Sequence, residues 1–247
     1  MNRRRRRELE HSRKVSKNVN AYWNFGSVAK QKRIDYRAGL IMRAVEMQEG
    51  IRVLELGCGT GEYSKRFASS GAEIVAVDVS PELVEIAKNN NARGNVLFKV
   101  GDAYNLSKYS NFDAVVGNAV LHHLVLGEVL PEVWKVLRVC GVAVFTEPNM
   151  ANPQIFLQKN VSLLKELAGD SPDETAFYKQ ELRGNFERAG FSEVRVRNVD
   201  FTHPSLPLPL YELAVRVNPL FEWLPLVREV SGSLLVVARK QKEVGFK

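Results

Sequence analysis

The stretch "VLELGCGTGEYSKRF", residues 53–67, places Gly57, Gly59 and Gly61 at alternate positions directly after an apolar run. A short apolar run, glycines and then a helical pattern read as a buried strand, a tight turn and a helix. At the carboxyl end of a parallel strand such a turn is a nucleotide-binding place. Counted from Gly57, the dinucleotide fingerprint GxGxxG needs a third glycine at position 62, where this chain has Glu62. A carboxylate in the first helical turn repels a pyrophosphate, and no Lys-Ser/Thr pair follows to make a Walker loop. The loop therefore favours a nucleoside without phosphates that carries its own positive charge.

Outward from the loop, the hydrophobic period alternates between two and 3.6. Strands are expected at 51–56, 73–78, 96–100, 112–117 and 142–147, with helices over 62–69, 81–90 and 127–139 between them. Ser80-Pro81-Glu82 is a helix start, with serine as N-cap and proline in the first turn. This alternation implies right-handed βαβ units and a parallel sheet covered on both faces. Upstream, Ile34, Ala38, Ile41, Met42 and Val45 have helical spacing. Downstream, 153–167 reads as a helix, and Ser171-Pro172-Asp173-Glu174 as a capping box opening a helix that ends at Gly190. The last strands are expected at 194–201 and 232–240. Between them lies a Pro-rich amphipathic insertion, 203–231, too long for a hairpin turn.

Three carboxylates fall near successive strand ends: Glu55, Asp78 and Asp102. Asp78 can accept both hydroxyls of a ribose, Glu55 can attract an ammonium, and Asp102 can accept from an exocyclic adenine amine. Each alone is equally well read as a solvated loop acid, and the glycines alone as a tight turn. Together, "VLELGCGTG", "VAVDVS", "GDA", "FDAVVGNAVLHHL" and "VLRVCGVAVFTEP" resemble the class I S-adenosylmethionine-dependent methyltransferases, most closely their type 11 group of quinone and other small-molecule enzymes. The resemblance is strong over about residues 35–150. It implies an α/β, three-layer, doubly wound Rossmann-like sheet of seven strands, the last antiparallel, with helical cap elements. It also implies S-adenosylmethionine as cofactor. The loop Gly57, Cys58, Gly59 and Gly61 would face its methionine part, Asp78 its ribose, Val79 its adenine ring, and Asp102 with Ala103 its adenine amine. Asn118 and Ala119 would lie near the sulfonium. One departure is "RVCGV" at 138–142, where relatives carry Arg-Pro-Gly-Gly; Cys140 is expected to pack in a turn.

Composition sets the setting. The chain has 247 residues, 45% hydrophobic and 26% charged, as in an ordinary soluble protein. Cys58 and Cys140 form no ligand or disulfide pattern, so a reduced protein without a structural metal is expected. The net charge of +7 is concentrated in residues 1–17, with eight Lys/Arg against Glu8 and Glu10. That segment is expected to be a basic, solvated and disordered arm, with weak contact of residues 3–17 with RNA or a membrane surface as the alternative. The rest, 18–247, is expected to be one domain: an N-terminal helical cap (18–50), a cofactor-binding core (51–150), helices (151–190), and the last strands with the insertion (191–247). No leader or membrane-spanning pattern is read, so the location expected is cytoplasmic.

Methyl transfer from a sulfonium needs alignment and exclusion of water, and a base only where the acceptor must lose a proton. His122 is the candidate base, with the alternative that it is a packed histidine. Tyr22, Tyr36, His123, Glu147 and Asn149 are candidates for holding a small, apolar, aromatic or lipid-like acceptor. The aromatic cap residues are equally well read as core. No Asp/Asn-Pro-Pro-aromatic motif follows the fourth strand and no cysteine suits attack on cytosine, which argues against nucleic-acid base methylation. No set of acids suggests a catalytic Mg²⁺ site. Two alternatives stay open: an RNA or protein methyltransferase docking through the arm, and a non-catalytic S-adenosylmethionine-binding protein. The oligomeric state is not legible.

Overall fold

The structure is a computed structural model describing residues 3–23, 25–91, 94–171, 173–202 and 207–241. Pro172 of the expected capping box and positions 203–206 of the expected insertion lie outside the described residues. The strands are β1 (Arg52–Leu56), β2 (Glu73–Asp78), β3 (Val96–Val100), β4 (Phe112–Asn118), β5 (Leu137–Pro148), β6 (Phe191–Val199) and β7 (Ser233–Lys240). The helices are α1 (Arg3–Lys17), α2 (Val19–Trp23), α3 (Val28–Val45), α4 (Glu62–Phe67), α5 (Pro81–Asn90), α6 (Leu126–Val136), α7 (Pro153–Asn160), α8 (Ser162–Leu167), α9 (Lys179–Arg188), α10 (Leu208–Trp223) and α11 (Pro225–Arg228).

The seven strands form one sheet in the order β3-β2-β1-β4-β5-β7-β6. The pairs β1–β2, β2–β3, β1–β4 and β4–β5 are parallel, and β7 runs antiparallel to both β5 and β6. Alternate side chains enter two cores. Leu54, Leu56, Val115 and Phe145 pack with Val129, Val133 and Phe186 from α6 and α9. Val53, Val116 and Val144 pack with Ile41, Phe67 and Val84 from α3, α4 and α5. Each sheet face is thus sealed by helices, as its near-continuous apolar strands require. Strand order reverses between β1 and β4, which puts the ligand crevice at the loops after Leu56 and Asn118.

Several expectations change. Residues 3–17 are not a disordered arm but helix α1, with Val15 fully buried. Salt bridges from Arg7 to Asp173 (2.9 Å) and Arg13 to Glu82 (3.5 Å) fasten it. The expected helix from Ser171 starts only at Lys179. Ser171 N–H does donate to Glu174 at 3.0 Å, closing a local turn, but the other Glu174 oxygen is drawn to Lys159 and His122 and the helix does not propagate. The helix expected over 153–167 is two, broken at Val161. β5 begins at Leu137 because its residues before Val142 bulge away from β4. Cys140 sits in that bulge with φ 64° and is exposed rather than packed. A Cβ at Gly141 would lie 2.9 Å from the Arg138 carbonyl, so the turn needs glycine there.

Candidate functional site

The glycine turn is built for close approach. Gly57 has φ 67°, and a Cβ there would meet Val120 Cγ2 at 2.5 Å, so only glycine lets the loops after β1 and β4 touch. Gly61 has φ 82°, and a Cβ there would strike Asn91 of the turn after α5 at 2.3 Å. Gly61 therefore serves the packing of α4 and does not reach the cavity. Gly57 and Cys58 N–H donate to the Val77 carbonyl, and Gly59 N–H donates to Asp78 Oδ2 at 2.9 Å.

A cavity of about 440 Å³ opens at this crevice. Its floor includes Gly57, Cys58, Gly59, Asp78 and Val79. One end is lined by Asp102, Ala103 and Tyr104, the middle by Asn118, Ala119 and Val120. Ala119 is held at φ 51° with its N–H on the Thr146 carbonyl, 2.7 Å away. Asn118 Oδ1 accepts from Thr146 Oγ1 at 2.6 Å. Asp78 is half-buried at the cavity, and desolvation pushes its carboxyl upward against the opposing pull of N–H donors from Ser80 and Gly59. Burial likewise raises the Cys58 thiol well above its ordinary value, which makes it an inert wall group.

Glu55 is not on the cavity wall. Its carboxyl lies behind the loop, accepts from Ser64 Oγ at 2.6 Å, and is pushed by burial up to about 8. It is therefore neutral near pH 7 and ties β1 to α4 instead of attracting an ammonium. Glu147 is also structural. It accepts from the Val120, Leu121 and His122 N–H groups and, at 2.7 Å, contacts His122 Nδ1, which anchors the loop after β4. Asn149 is spent on the Glu229 and Ser231 carbonyls. Tyr36 turns away from the cavity, its hydroxyl accepting from Asn218 Nδ2 at 3.2 Å.

His122 reaches the wall but is clamped, with Nε2 3.4 Å from Glu174 Oε1. Burial alone would depress its imidazole; the hydrogen bonds and charges of Glu147 and Glu174 prevail and raise it to about 9. A histidine charged at neutral pH holds its proton and is no general base. His123 lines the cavity with Nδ1 3.0 Å from Glu8 Oε2 of α1. Tyr22 lines it too, edge-on to His11.

The cap contributes residues that the sequence reading did not single out. Lys30, Arg33 and Arg37 follow i, i+3, i+7 along one face of α3 and all line the cavity. Arg33 and Arg37 share the fully buried Asp200 at 2.7 and 2.8 Å. Burial, with Arg33 and Arg37 adding to it, lowers Lys30 to about 8. Three cations against Asp200 make an anion-attracting wall. The helical stripe was visible in "KQKRIDYR"; that it faces the crevice was not. Glu62, on the same wall, is neutralised by Arg66 at 2.6 Å.

Comparison with known proteins agrees with this architecture. Residues 53–141 match the model of the methyltransferase domain family. Over 116 residues the chain is 38% identical to magnesium-protoporphyrin O-methyltransferase of Rhodobacter capsulatus, covering 44% of this chain and 50% of that protein. Over 91 residues it is 35% identical to ubiquinone biosynthesis O-methyltransferase of Mesorhizobium japonicum, covering 36% of each. The chain thus spans half or less of the length of these curated relatives. A solved S-adenosylmethionine-dependent methyltransferase of Thermotoga maritima has the same fold at 19% identity and a TM-score of 0.63, covering 94% of this chain and 100% of that one. Motif spacing, sheet order and relatives agree that residues 53–141 match the methyltransferase domain family, and that over this core the chain is similar to S-adenosylmethionine-dependent O-methyltransferases.

Proposed function

We propose that this chain transfers the methyl group of S-adenosylmethionine to a hydroxyl of a small apolar or aromatic acceptor by in-line displacement. The observation that carries this is a single cavity bounded by the Gly57–Gly59 turn, Asp78, Asp102 and the Asn118–Ala119 turn, and closed by α1, α2 and α3. Bound there, S-adenosylmethionine supplies an electrophilic methyl whose departure leaves a neutral thioether. The fit rests on polar groups already in place. Asp78 faces the cavity with its oxygens pre-oriented by two N–H groups, as a pair of ribose hydroxyls requires. Asp102 accepts from Tyr104 N–H at 3.1 Å and lines the cavity, where a carboxylate suits an adenine amine. The Lys30, Arg33 and Arg37 wall is suited to the cofactor's carboxylate. Gly57 and Gly59 let it lie against the backbone.

The protein's work is then to align acceptor oxygen, methyl and sulfur and to keep water out. Trp23 stands over Gly59, where a Cβ would meet its ring at 3.3 Å, and α1 covers the opening. His123, Tyr22 and Glu8 lie where α1 meets the loop after β4 and are suited to position the acceptor hydroxyl. The O-methylations carried out by the similar magnesium-protoporphyrin and ubiquinone-biosynthesis enzymes favour oxygen as the atom methylated. An apolar acceptor is favoured by the exposed apolar side chains of α8, α10 and α11, with Leu167 and Trp223 75% and Leu226 89% exposed. The test is incubation with methyl-labelled S-adenosylmethionine and a panel of hydroxylated quinone precursors, carboxylated porphyrins and lipid extracts. Labelled product with stoichiometric S-adenosylhomocysteine is expected. Cofactor binding with no transfer to any class would favour a binding protein.

A further inference from the structure

His122 and His123 are neighbours whose rings lie 4.2 Å apart, and each presents Nδ1 to a different carboxylate. His122 Nδ1 is 2.7 Å from Glu147 Oε2, and His123 Nδ1 is 3.0 Å from Glu8 Oε2. A carboxylate on Nδ1 fixes the ring and directs Nε2 toward an ion, the arrangement that supports metal-binding histidines. The third member is Glu174, whose Oε1 is 3.4 Å from His122 Nε2. One ligand atom each from His122, His123 and Glu174 falls within 4.8 Å of the others, and all three side chains line the cavity. Ligands at about 2.0–2.1 Å from a tetrahedral ion stand roughly 3.4 Å apart, which the His122–Glu174 edge already matches.

Glu8, Glu147, Asp170 and Glu174 converge here; Lys159 bridges Asp170 (2.7 Å) and Glu174, and Lys165 Nζ donates to the Glu174 carbonyl at 2.6 Å. An ion bound here displaces the proton that His122 Nε2 shares with Glu174, as ligation by an imidazole requires. Lys159 keeps Asp170 as a partner when Glu174 turns to the ion.

We propose that His122, His123 and Glu174 form a two-histidine, one-carboxylate site for a divalent first-row transition metal, with Glu147 and Glu8 orienting the two rings. This departs from the expectation of a metal-free chain; the site was hidden in the sequence because Glu174 lies about fifty residues from His122 and His123, with no ligand spacing between them. Two nitrogens and one oxygen suit Zn²⁺, Mn²⁺, Co²⁺ or Fe²⁺ better than Mg²⁺. Positions left open toward the cavity would take a water or an acceptor hydroxyl and ease loss of its proton. That last role rests on the proposed methyl transfer; binding of the ion does not.

The test uses the full-length, untagged, chelator-stripped protein titrated with Co²⁺, read by visible absorbance, and with Zn²⁺, read by calorimetry. One ion per chain is expected. His123→Gln and Glu174→Gln should abolish saturable binding, and Glu8→Gln should weaken it about 10–100-fold. Each variant's thermal melt without metal shows that it is folded, and retained S-adenosylmethionine binding separates a failed metal site from a failed cofactor site. No saturable binding by the wild type, or unchanged affinity in folded His123→Gln and Glu174→Gln, overturns the proposal.

Discussion

Arg37 donates from Nε to Asp200 Oδ2 at 2.8 Å, and the carboxylate is completely buried beneath it. Arg33 donates to the same oxygen at 2.7 Å, so one acid from the end of β6 holds two guanidinium groups of α3 at the cavity wall. Asp200→Asn should cost about 3–5 kcal/mol in a denaturant titration, because it leaves two buried cations without their counter-charge. Burial raises the Asp200 carboxyl, but the two arginines outweigh it and bring it down to about 2, from 3.8. A depressed carboxyl stabilises the fold above its unfolded value and loses that contribution as pH falls through the folded one. The gap between wild type and Asp200→Asn should therefore narrow between about pH 4 and pH 2. A gap independent of pH in that window would remove this role.

Arg37 also reaches Asn118 Oδ1 at 3.4 Å and Ser233 Oγ, linking the anion-attracting wall to the loop after β4. Arg37→Ala should weaken S-adenosylmethionine about tenfold or more, as expected for a lost charged hydrogen bond. The same substitution should change 5′-methylthioadenosine binding little, because that ligand has no carboxylate. Equal losses for both ligands would show that Arg37 acts on the fold and not on the cofactor's amino-acid end.

Glu55 carries the opposite pH signature. Its carboxyl is raised by burial to about 8 from 4.5, so it enters the fold protonated. Its stabilising contribution is complete below the unfolded value and is lost as pH rises toward 8. Glu55→Gln retains an acceptor for Ser64 without the ionisation. The variant should gain on the wild type in thermal melts as pH is raised from about 5 to 8. Parallel melting curves across that range would refute a buried neutral acid.

Helix α1 is a wall of the cavity, with Glu8, His11, Ser12 and Val15 facing it. Removing residues 1–17 should lower the melting temperature, weaken cofactor binding and depress turnover even with a small-molecule acceptor. Loss of activity on truncation therefore does not by itself indicate docking to RNA. Full activity of the truncated chain would contradict the closing role assigned to α1.

The parts of the fold that were legible in the sequence were those fixed by local pattern. Alternating periods placed β1 to β5, and Ser80-Pro81 started α5 where expected. Gly57 could be read because a turn that lets two loops touch tolerates no side chain. Glu55 was misread because the sequence shows a carboxylate at a strand end but not the direction it points. Glu174 illustrates the same limit: its capping-box spacing is a local signal, and ion pairs with distant Lys159 and His122 override it. The α1 segment reads as a solvated arm by charge, yet Val15 and Glu8 give it one buried and one paired side, which only the tertiary partners reveal.

The most direct test of the central claim is a calorimetric titration of the full-length protein with S-adenosylmethionine, run in parallel on Asp78→Asn. The account predicts one site per chain in the wild type. It predicts that affinity falls at least tenfold in a variant that still melts cooperatively, since the ribose hydroxyls lose a charged acceptor. Equal affinity in the two proteins, or no binding by the wild type, would contradict it.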